Sequence, residues 1–310
     1  MNDENNTQDA QTETSCGFVA LIGAPNAGKS TLLNTLVGGK VSIVSHKVQT
    51  TRALVRGITI EGNAQLIFVD TPGIFRPKRR LDRAMVTSAW GGAGDADAVC
   101  LLIDARKGLD EENEAILEKI TEVRRRKMLI LNKIDLVPRS TLLALAEKIN
   151  AKVAFDETFM IAALNGDGVA SLRARLATFA QPGPWLYPED QMSDAPMRQL
   201  AAEITREKLF ERVHDEIPYA STVETDQWVV QKDGSARVEQ TIFVERESQR
   251  KIVLGHNGQT IKAIGSRARV EISEIAETKV HLFLFVKVRE NWSDDPARYR
   301  EMGLEFPRGS

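Results

Sequence analysis

Residues 23–30 read Gly-Ala-Pro-Asn-Ala-Gly-Lys-Ser, a G-x-x-x-x-G-K-S loop. The run Phe18-Val19-Ala20-Leu21-Ile22 before it reads as a strand. The stretch from Ser30 to Val37 reads as a helix with Leu32, Leu33 and Leu36 on one face. Strand, glycine loop and helix in that order form a phosphate cradle, because backbone N–H groups and the positive end of the new helix converge on one anion. The candidate nucleotide-binding residues are therefore Gly23, Ala24, Pro25, Asn26, Ala27, Gly28, Lys29, Ser30 and Thr31. Lys29 is expected to reach the β- and γ-phosphates, as a catalytic residue, and the Ser30 hydroxyl to ligand Mg²⁺.

Two further motifs follow strand-like runs. Asp70-Thr71-Pro72-Gly73 comes after Ile67-Phe68-Val69. A carboxylate at that strand end can hold Mg²⁺, directly or through water, and Gly73 can offer its N–H to a γ-phosphate. Asn132-Lys133-Ile134-Asp135 comes after the run at 128–131. The Asp135 carboxylate can accept from both N1–H and the exocyclic amine of guanine. Adenine lacks that donor pair and would leave the carboxylate unsatisfied. Asn132 is expected to tie loops together, and the Lys133 stem to lie over the base.

A length of 310 residues suits about two domains. A net charge of −2 means that any nucleic-acid surface must be local. Cys16 and Cys100 read as buried free thiols, and no apolar run approaches the ~20 residues of a membrane span. Residues 1–15 are acidic and polar and read as a disordered tail.

From Phe18 onward, strands are expected at 52–60, 64–69, 98–103, 128–131 and 158–161, and helices at 111–126, 141–149 and 168–180. This alternation predicts an α/β doubly wound, mostly parallel sheet. Residues 181–188 carry three prolines and a glycine, which mark a linker; Trp185 and Tyr187 can pin it. Beyond it, the pattern is a helix at 195–213, strands at 222–230 and 237–245, a helical turn at 251–254 and Gly255-His256-Asn257-Gly258. A helix with Ile261, Ile264, Ala268 and Val270 or nearby positions inward and a strand at 280–288 complete it.

The three nucleotide motifs resemble those of the translation-factor-related GTPases over residues 18–180. That family's last base-contacting loop reads Ser-Ala. Here Ala163 matches the alanine whose N–H meets the guanine carbonyl, while Ala162 replaces the serine, which implies modestly weaker guanine binding. Residues 38–52 are the first switch loop, and Gln49-Thr50-Thr51-Arg52 resembles the Era branch. Thr51 is the first choice for the threonine that closes over Mg²⁺, and Thr50 the second. His46 reads as a solvated loop residue.

Ile74 occupies the position of the water-orienting glutamine of Ras-like enzymes. Relatives with an apolar residue there use a monovalent cation, and Asn26 matches their phosphate-loop asparagine. The resemblance thus implies K⁺-stimulated hydrolysis, with Asn26, Lys29, Thr51 and Gly73 as the catalytic set and Ser30, Thr51 and Asp70 around the metal. Residues 76–80 (Arg-Pro-Lys-Arg-Arg) are either a solvated loop or a basic patch that moves with nucleotide state. Residues 124–127 read as a solvated helix end.

The second half resembles a type II KH domain, whose G-x-x-G turn clamps about four nucleotides of single-stranded RNA. That resemblance assigns RNA binding to Lys251, Gly255, His256, Asn257, Gly258, Lys262 and Arg267, with Arg269 nearby. His214 and His281 read as structural, and Trp292 as an anchor for the C-terminal segment.

GTPase plus KH resembles the Era family of bacterial ribosome-assembly GTPases. It implies a disordered tail (1–15), a GTPase domain (16–181), a linker (182–194), an α+β KH domain (195–302) and a C-terminal tail (303–310), in which residues 306–310 are expected to fray. It further implies a monomeric GTP/GDP switch that binds the 3′ end of 16S ribosomal RNA and the 30S subunit; the alternatives are a GTP-dependent RNA-binding switch with negligible unaided hydrolysis and a membrane- or cell-cycle-linked GTPase whose KH domain binds protein. The implied location is cytoplasmic, with a peripheral contact at the inner membrane.

Overall fold

The computed structural model describes residues 13–307 except 48 and 215. Most of the acidic N-terminal stretch and the last three residues lie outside the described residues. The first unit runs β1 (Ser15–Gly23), α1 (Lys29–Val37), β2 (Val55–Glu61), β3 (Ala64–Asp70), α2 (Arg80–Asp95) and β4 (Ala98–Asp104). It continues with α3 (Glu111–Ile120), β5 (Arg126–Asn132), α4 (Arg139–Lys152), β6 (Glu157–Ile161), α5 (Val169–Ala177) and a short β7 (Gln181–Pro182).

The sheet order is β2-β3-β1-β4-β5-β6, with β7 beside β1. Only the β2–β3 and β1–β7 pairs are antiparallel. Strand β1 shows why both faces must be covered. Val19 and Leu21 pack toward α1 and α5, while Ala20 and Ile22 pack toward α2, α3 and α4. The glycine loop leaves the C-terminal end of this central strand, where ligands of open α/β sheets bind.

Four sequence expectations change. The expected strand at 52–60 begins only at Val55, because Arg52 is drawn away to the carbonyls of Pro218 and Ser221. Helix α2 had no counterpart in the reading, since Gly91, Gly92 and Gly94 blur its apolar period. The expected helix at 111–126 ends at Ile120, and Arg126 opens β5. Pro182, expected outside any sheet, pairs with Ser15 on a two-residue strand. So short a pair makes little demand on its missing N–H.

The second unit runs α6 (Met197–Arg212), β8 (Ser221–Val230), β9 (Ala236–Val244), α7 (Glu247–Leu254), α8 (Gln259–Ile275), β10 (Val280–Val288) and α9 (Pro296–Glu301). Its sheet order is β10-β9-β8, with β9 antiparallel to β8 and parallel to β10. Ile264, Ala268 and Ile272 form the buried stripe of α8. Val270 lies off that stripe and is half exposed, contrary to expectation. His214 is exposed and so is not a core residue.

The linker is pinned to the first unit. Trp185 Nε1 donates to Asn63 O at 3.0 Å, and the Gln65 amide bonds the backbone of Leu186 and Tyr187. The C-terminal segment crosses back to α2, where Trp292, Tyr299 and Leu304 bury against Leu81, Ala84 and Met85. Trp292 also donates to Ala220 O. Phe306 stacks edge-on against Tyr299 at 4.9 Å, and the Arg80 guanidinium covers its ring. An aromatic anchor therefore holds this segment through Phe306, the first of the residues expected to fray; residues 308–310 of that expectation lie outside the described residues. Both cysteines are free thiols, and Cys16 is only partly buried. Among the described residues no helix is long and apolar enough to cross a membrane.

Candidate nucleotide site and nucleic-acid groove

A cavity of about 430 Å³ opens where the glycine loop, the first switch loop and the β5–α4 loop meet. At its floor Lys29 is buried, and its Nζ donates to the carbonyls of Gly23 and Ala24, each at 3.0 Å. Burial pulls the ammonium down to about 8, partly offset by Asp70. The carbonyls thus hold Lys29 inside the loop that is to receive a polyanion.

Asp70 ends β3 behind this floor, fully buried. Its Oδ2 accepts from Ser30 Oγ at 2.6 Å, Ser42 Oγ at 3.0 Å and Thr51 Oγ1 at 3.4 Å. Ser30 Oγ and Thr51 Oγ1 stand 2.9 Å apart. Asp70 Oδ1 is buried and has no partner among the described residues. Burial raises the carboxyl's pKa, against the pull of Lys29 and the three hydroxyls. A dehydrated carboxylate with an orphaned oxygen beside two hydroxyls is a donor set of the kind a small hard cation takes. Thr51 has this place; Thr50 instead turns its hydroxyl to the Lys47 carbonyl.

Gly73 lies against the glycine loop. A Cβ there would stand 2.9 Å from Pro25 Cγ and 3.0 Å from Pro25 N. Ile74 is buried in the core, and its N–H donates to Gly23 O. Its side chain is part of the packing and does not face the cavity.

Asn132 joins two loops, as expected. Its Nδ2 donates to Ala27 O at 2.8 Å, and its Oδ1 accepts from Ala163 N at 3.0 Å. Lys133 Nζ reaches Asn26 O and Asp104 Oδ2 at 2.6 and 2.7 Å. Burial pushes Asp104 up, but hydrogen bonds from Arg106 and Lys133 outweigh it and hold the carboxyl at about 2. Asp135 and Ala163 line the cavity, whereas Ala162 is buried outside it and pairs with Asp167.

The first switch loop is seated on the second unit. Asn26 Nδ2 donates to His46 O at 2.8 Å on the nucleotide side. On the other side Val44 N donates to Glu207 Oε1 at 2.8 Å, Lys40 pairs with Glu207 and Glu271, and Lys47 bonds the carbonyls of Phe210 and Val213. Arg206 of α6 donates to Thr50 O. Arg52 is buried between the Phe210 and Trp292 rings; burial, then the nearby Arg206, pull it down to about 9. It remains cationic at neutral pH.

The second candidate site is the Gly255–Gly258 turn between α7 and α8. Gly255 has φ 73° and ψ 174°, and a Cβ there would stand 2.2 Å from Thr260 Oγ1. Only glycine fits. Asn257 is also left-handed, and the His256 and Asn257 side chains are exposed. A groove of about 280 Å³ runs beside α8 and β10, lined by Ile261, Lys262, Gly265, Arg269 and Leu284 among others. Arg267 is not in its wall: the helix turns it toward Glu211 of α6, while Arg269 lines the groove. Lys251 is exposed on α7, outside the groove.

The family model described as "50S ribosome-binding GTPase" matches residues 18–133, and the KH domain model matches residues 216–293. GTPase Era of Bradyrhizobium sp. strain ORS 278 is 69% identical over 301 residues, 97% of this chain and 98% of the relative. GTPase Era of Brucella suis biovar 1 is 69% identical over 296 residues, 96% of this chain and 95% of the relative. The chain belongs to the GTPase Era family. It is a GTP hydrolase with a P-loop GTPase domain followed by a KH domain. Among solved structures, Era in complex with MgGDPNP and nucleotides 1506–1542 of 16S ribosomal RNA has a TM-score of 0.89 at 37% identity. It covers 94% of this chain and 99% of its own. A variant of Aquifex aeolicus Era bound to GDP·AlF₄⁻ matches equally well.

Several residues of this Era-family site escaped the sequence reading. Ser42 adds a third hydroxyl to Asp70, and Asn34 clamps the start of the switch loop through Val41 N, Ser42 N and Ser42 O. Neither carries a sequence signal. Asp104 does: it ends an apolar strand next to the central one, where parallel sheets present ligand-facing side chains.

Proposed function

We propose that this GTPase is a switch that, loaded with GTP, binds the single-stranded 3′ end of 16S ribosomal RNA and the precursor 30S subunit, promotes small-subunit maturation in the cytoplasm and leaves after hydrolysis. The observation that carries the coupling is the seating of the first switch loop on α6 of the KH domain, through Thr50 O–Arg206 and Val44 N–Glu207. A loop that answers the γ-phosphate on one side and touches the RNA-binding domain on the other links the two ligands. Linkage is reciprocal, so RNA tightens GTP by the factor by which GTP tightens RNA. The solved Era complex that holds both MgGDPNP and the 16S fragment supports the same reading.

In this reading Lys29 neutralises the β- and γ-phosphates, and Ser30 and Thr51, with Asp70 behind them, would hold Mg²⁺. The orphaned Asp70 Oδ1 fits that assignment. Mg²⁺ held there would supply charge neutralisation for the phosphates. The Gly73 N–H meets the γ-phosphate, and Asp135 selects guanine. Gly255, His256, Asn257 and Gly258 approach the RNA backbone, with Lys262 alongside. Ile74 cannot orient water. K⁺ near Asn26 and the His46 carbonyl would supply the missing positive charge, so hydrolysis is expected to be faster in K⁺ than in Na⁺. Equal rates in the two salts remove the K⁺ step.

Crosslinking of the GTP-locked chain to cellular RNA, with contacts mapped, tests the function. One dominant peak at the 3′ end of 16S RNA is expected. Scattered or absent crosslinks would overturn the RNA role and leave the GTPase standing.

A further inference from the structure

An open cavity of about 450 Å³ lies at the other end of the GTPase sheet, where a turn joins α3 to β5. Strands β4 and β5 begin there, at Ala98 and Arg126, and end at Asp104 and Asn132 beside the nucleotide cavity. At ~3.3 Å per strand residue, the two places are roughly 20 Å apart. Lys119, Arg124 and Arg125 line the cavity against a single carboxylate, Glu122, with the partly buried Trp90 ring between α2 and α3. The sequence reads this basic run as a helix end whose cations answer the dipole. Helix α3 instead stops at Ile120, so Arg124 and Arg125 stand beyond it in the turn.

These cations are held in place without being neutralised. Lys119 Nζ lies over the Trp90 ring, 4.9 Å from its centroid, and Arg125 Nε donates to Gly94 O at 3.2 Å, in the last turn of α2. An aromatic face and a carbonyl fix a cation and leave its charge. Neither Lys119, Arg124 nor Arg125 has a carboxylate partner among the described residues, whereas Lys152, Arg173 and Arg175 of the same domain pair with Glu114, Glu61 and Glu157. Arg126 carries the run round to the other face of the sheet, over the Phe179 ring. In a chain of net charge −2, four such cations at one sheet edge make a local positive field.

The partner of such a field is a polyanion, and three features select its kind. Three of the four cations are arginines, whose forks match phosphate oxygens. None of the large hydrophobic side chains exposed among the described residues lies at this edge, so a bilayer or the apolar centre of a protein interface finds no anchor here. The Trp90 face that could stack an unpaired base is covered by Lys119, which favours a paired strand over a single one. We infer that this edge of the GTPase domain binds the phosphate backbone of double-helical RNA, apart from both the nucleotide cavity and the KH groove. The choice of RNA as the polyanion rests on the function proposed above. A KH turn clamps only about four nucleotides, and a second, sequence-independent contact on the same polymer raises the effective concentration of the first.

The test uses the full chain with GDP and Mg²⁺ and a labelled blunt RNA duplex of about 16 base pairs, which offers the KH turn no single strand. Fluorescence anisotropy is read from about 50 to about 200 mM KCl. Saturable binding is expected, with log affinity falling linearly in log salt. In Arg124→Gln/Arg125→Gln the affinity should fall about tenfold at the low-salt end and the slope should lose about two; in Lys119→Gln the slope should lose about one. All three side chains are exposed, so folding is not at issue. The double variant should bind the single-stranded 16S 3′ sequence as the parent does. Failure of both proteins on that strand, with the duplex result intact, would fall on the function proposed above and leave this site standing. No duplex binding, duplex binding indifferent to the substitutions, or loss in the variants of binding to phosphatidylglycerol vesicles but not to the duplex would each overturn the site.

Discussion

Arg206, in the first helix of the KH domain, donates a hydrogen bond to the backbone carbonyl of Thr50, one residue before the threonine that stands at Ser30 and Asp70. The two bonded residues are 156 positions apart in the chain. Arg206→Lys keeps the charge but cannot serve both Thr50 and Glu203 as the fork does. Loss of one hydrogen bond of about 1 kcal/mol predicts a roughly fivefold rise in the Mg²⁺ concentration for half-maximal GTP hydrolysis. A magnesium titration of both proteins checks this. An unchanged midpoint would mean that α6 does not set the switch threonine.

Gly73 packs against the glycine loop too closely for any side chain. In Gly73→Ala the added methyl must push Pro25 aside. GDP affinity should change little, because the clash lies at the γ-phosphate end. Turnover should fall by about tenfold or more, as the loop can no longer close on the transferred group. Stopped-flow nucleotide binding beside single-turnover hydrolysis separates the two effects.

Asp104 gives a pH signature. Its carboxyl is held at about 2, below the ordinary 3.8, by Arg106 and Lys133 against the opposing effect of burial. Its folded pKa lies below the unfolded one, so its stabilisation is full above the unfolded value and is lost as pH falls toward about 2. The shift corresponds to about 2 kcal/mol at neutral pH. Asp104→Asn should lose about that much in urea unfolding at pH 7, and the gap from the parent chain should shrink steadily below about pH 4. A gap that stays constant with pH would assign the loss to packing.

Gly255→Ala should separate the two domains' functions. The Cβ would meet Thr260, and φ 73° with ψ 174° is open to glycine alone. Affinity for a single-stranded RNA that ends in the 16S 3′ sequence should fall about tenfold or more, since the turn must bring its backbone against the RNA. GTP affinity in the absence of RNA should not move. Fluorescence anisotropy with labelled RNA and labelled nucleotide reads both.

The nucleotide motifs were legible because each is a contiguous run at a strand end. Their chemistry is local, so Lys29, Asp70 and Asn132 could be read without knowing what lies opposite. The G-x-x-G turn was legible for the same reason. Arg267 and Arg269 were not distinguishable by composition; only the helix pitch, with Glu211 on one side and the groove on the other, separates them. The interdomain seat was illegible. Arg206 and Glu207 look like ordinary charged positions of an amphipathic helix, and their partners lie more than 150 residues away. Helix α2 was hidden by glycines, and Ile74 reads as a missing catalytic group until its burial shows what the side chain does there.

The return of the C-terminal segment to α2 has a consequence in time. Leu81 and Met85 are covered by Trp292, Tyr299 and Leu304, which a ribosome makes much later. At ~5–20 residues per second, the 207 positions from Met85 to Trp292 take roughly 10–40 s to synthesise. Once residue 182 is made, a newborn GTPase domain has its sheet complete and, until residue 292 follows, this flank of α2 bare. Any chain that stops short of residue 292 keeps it so, and presents quality control with an apolar mark of its own incompleteness.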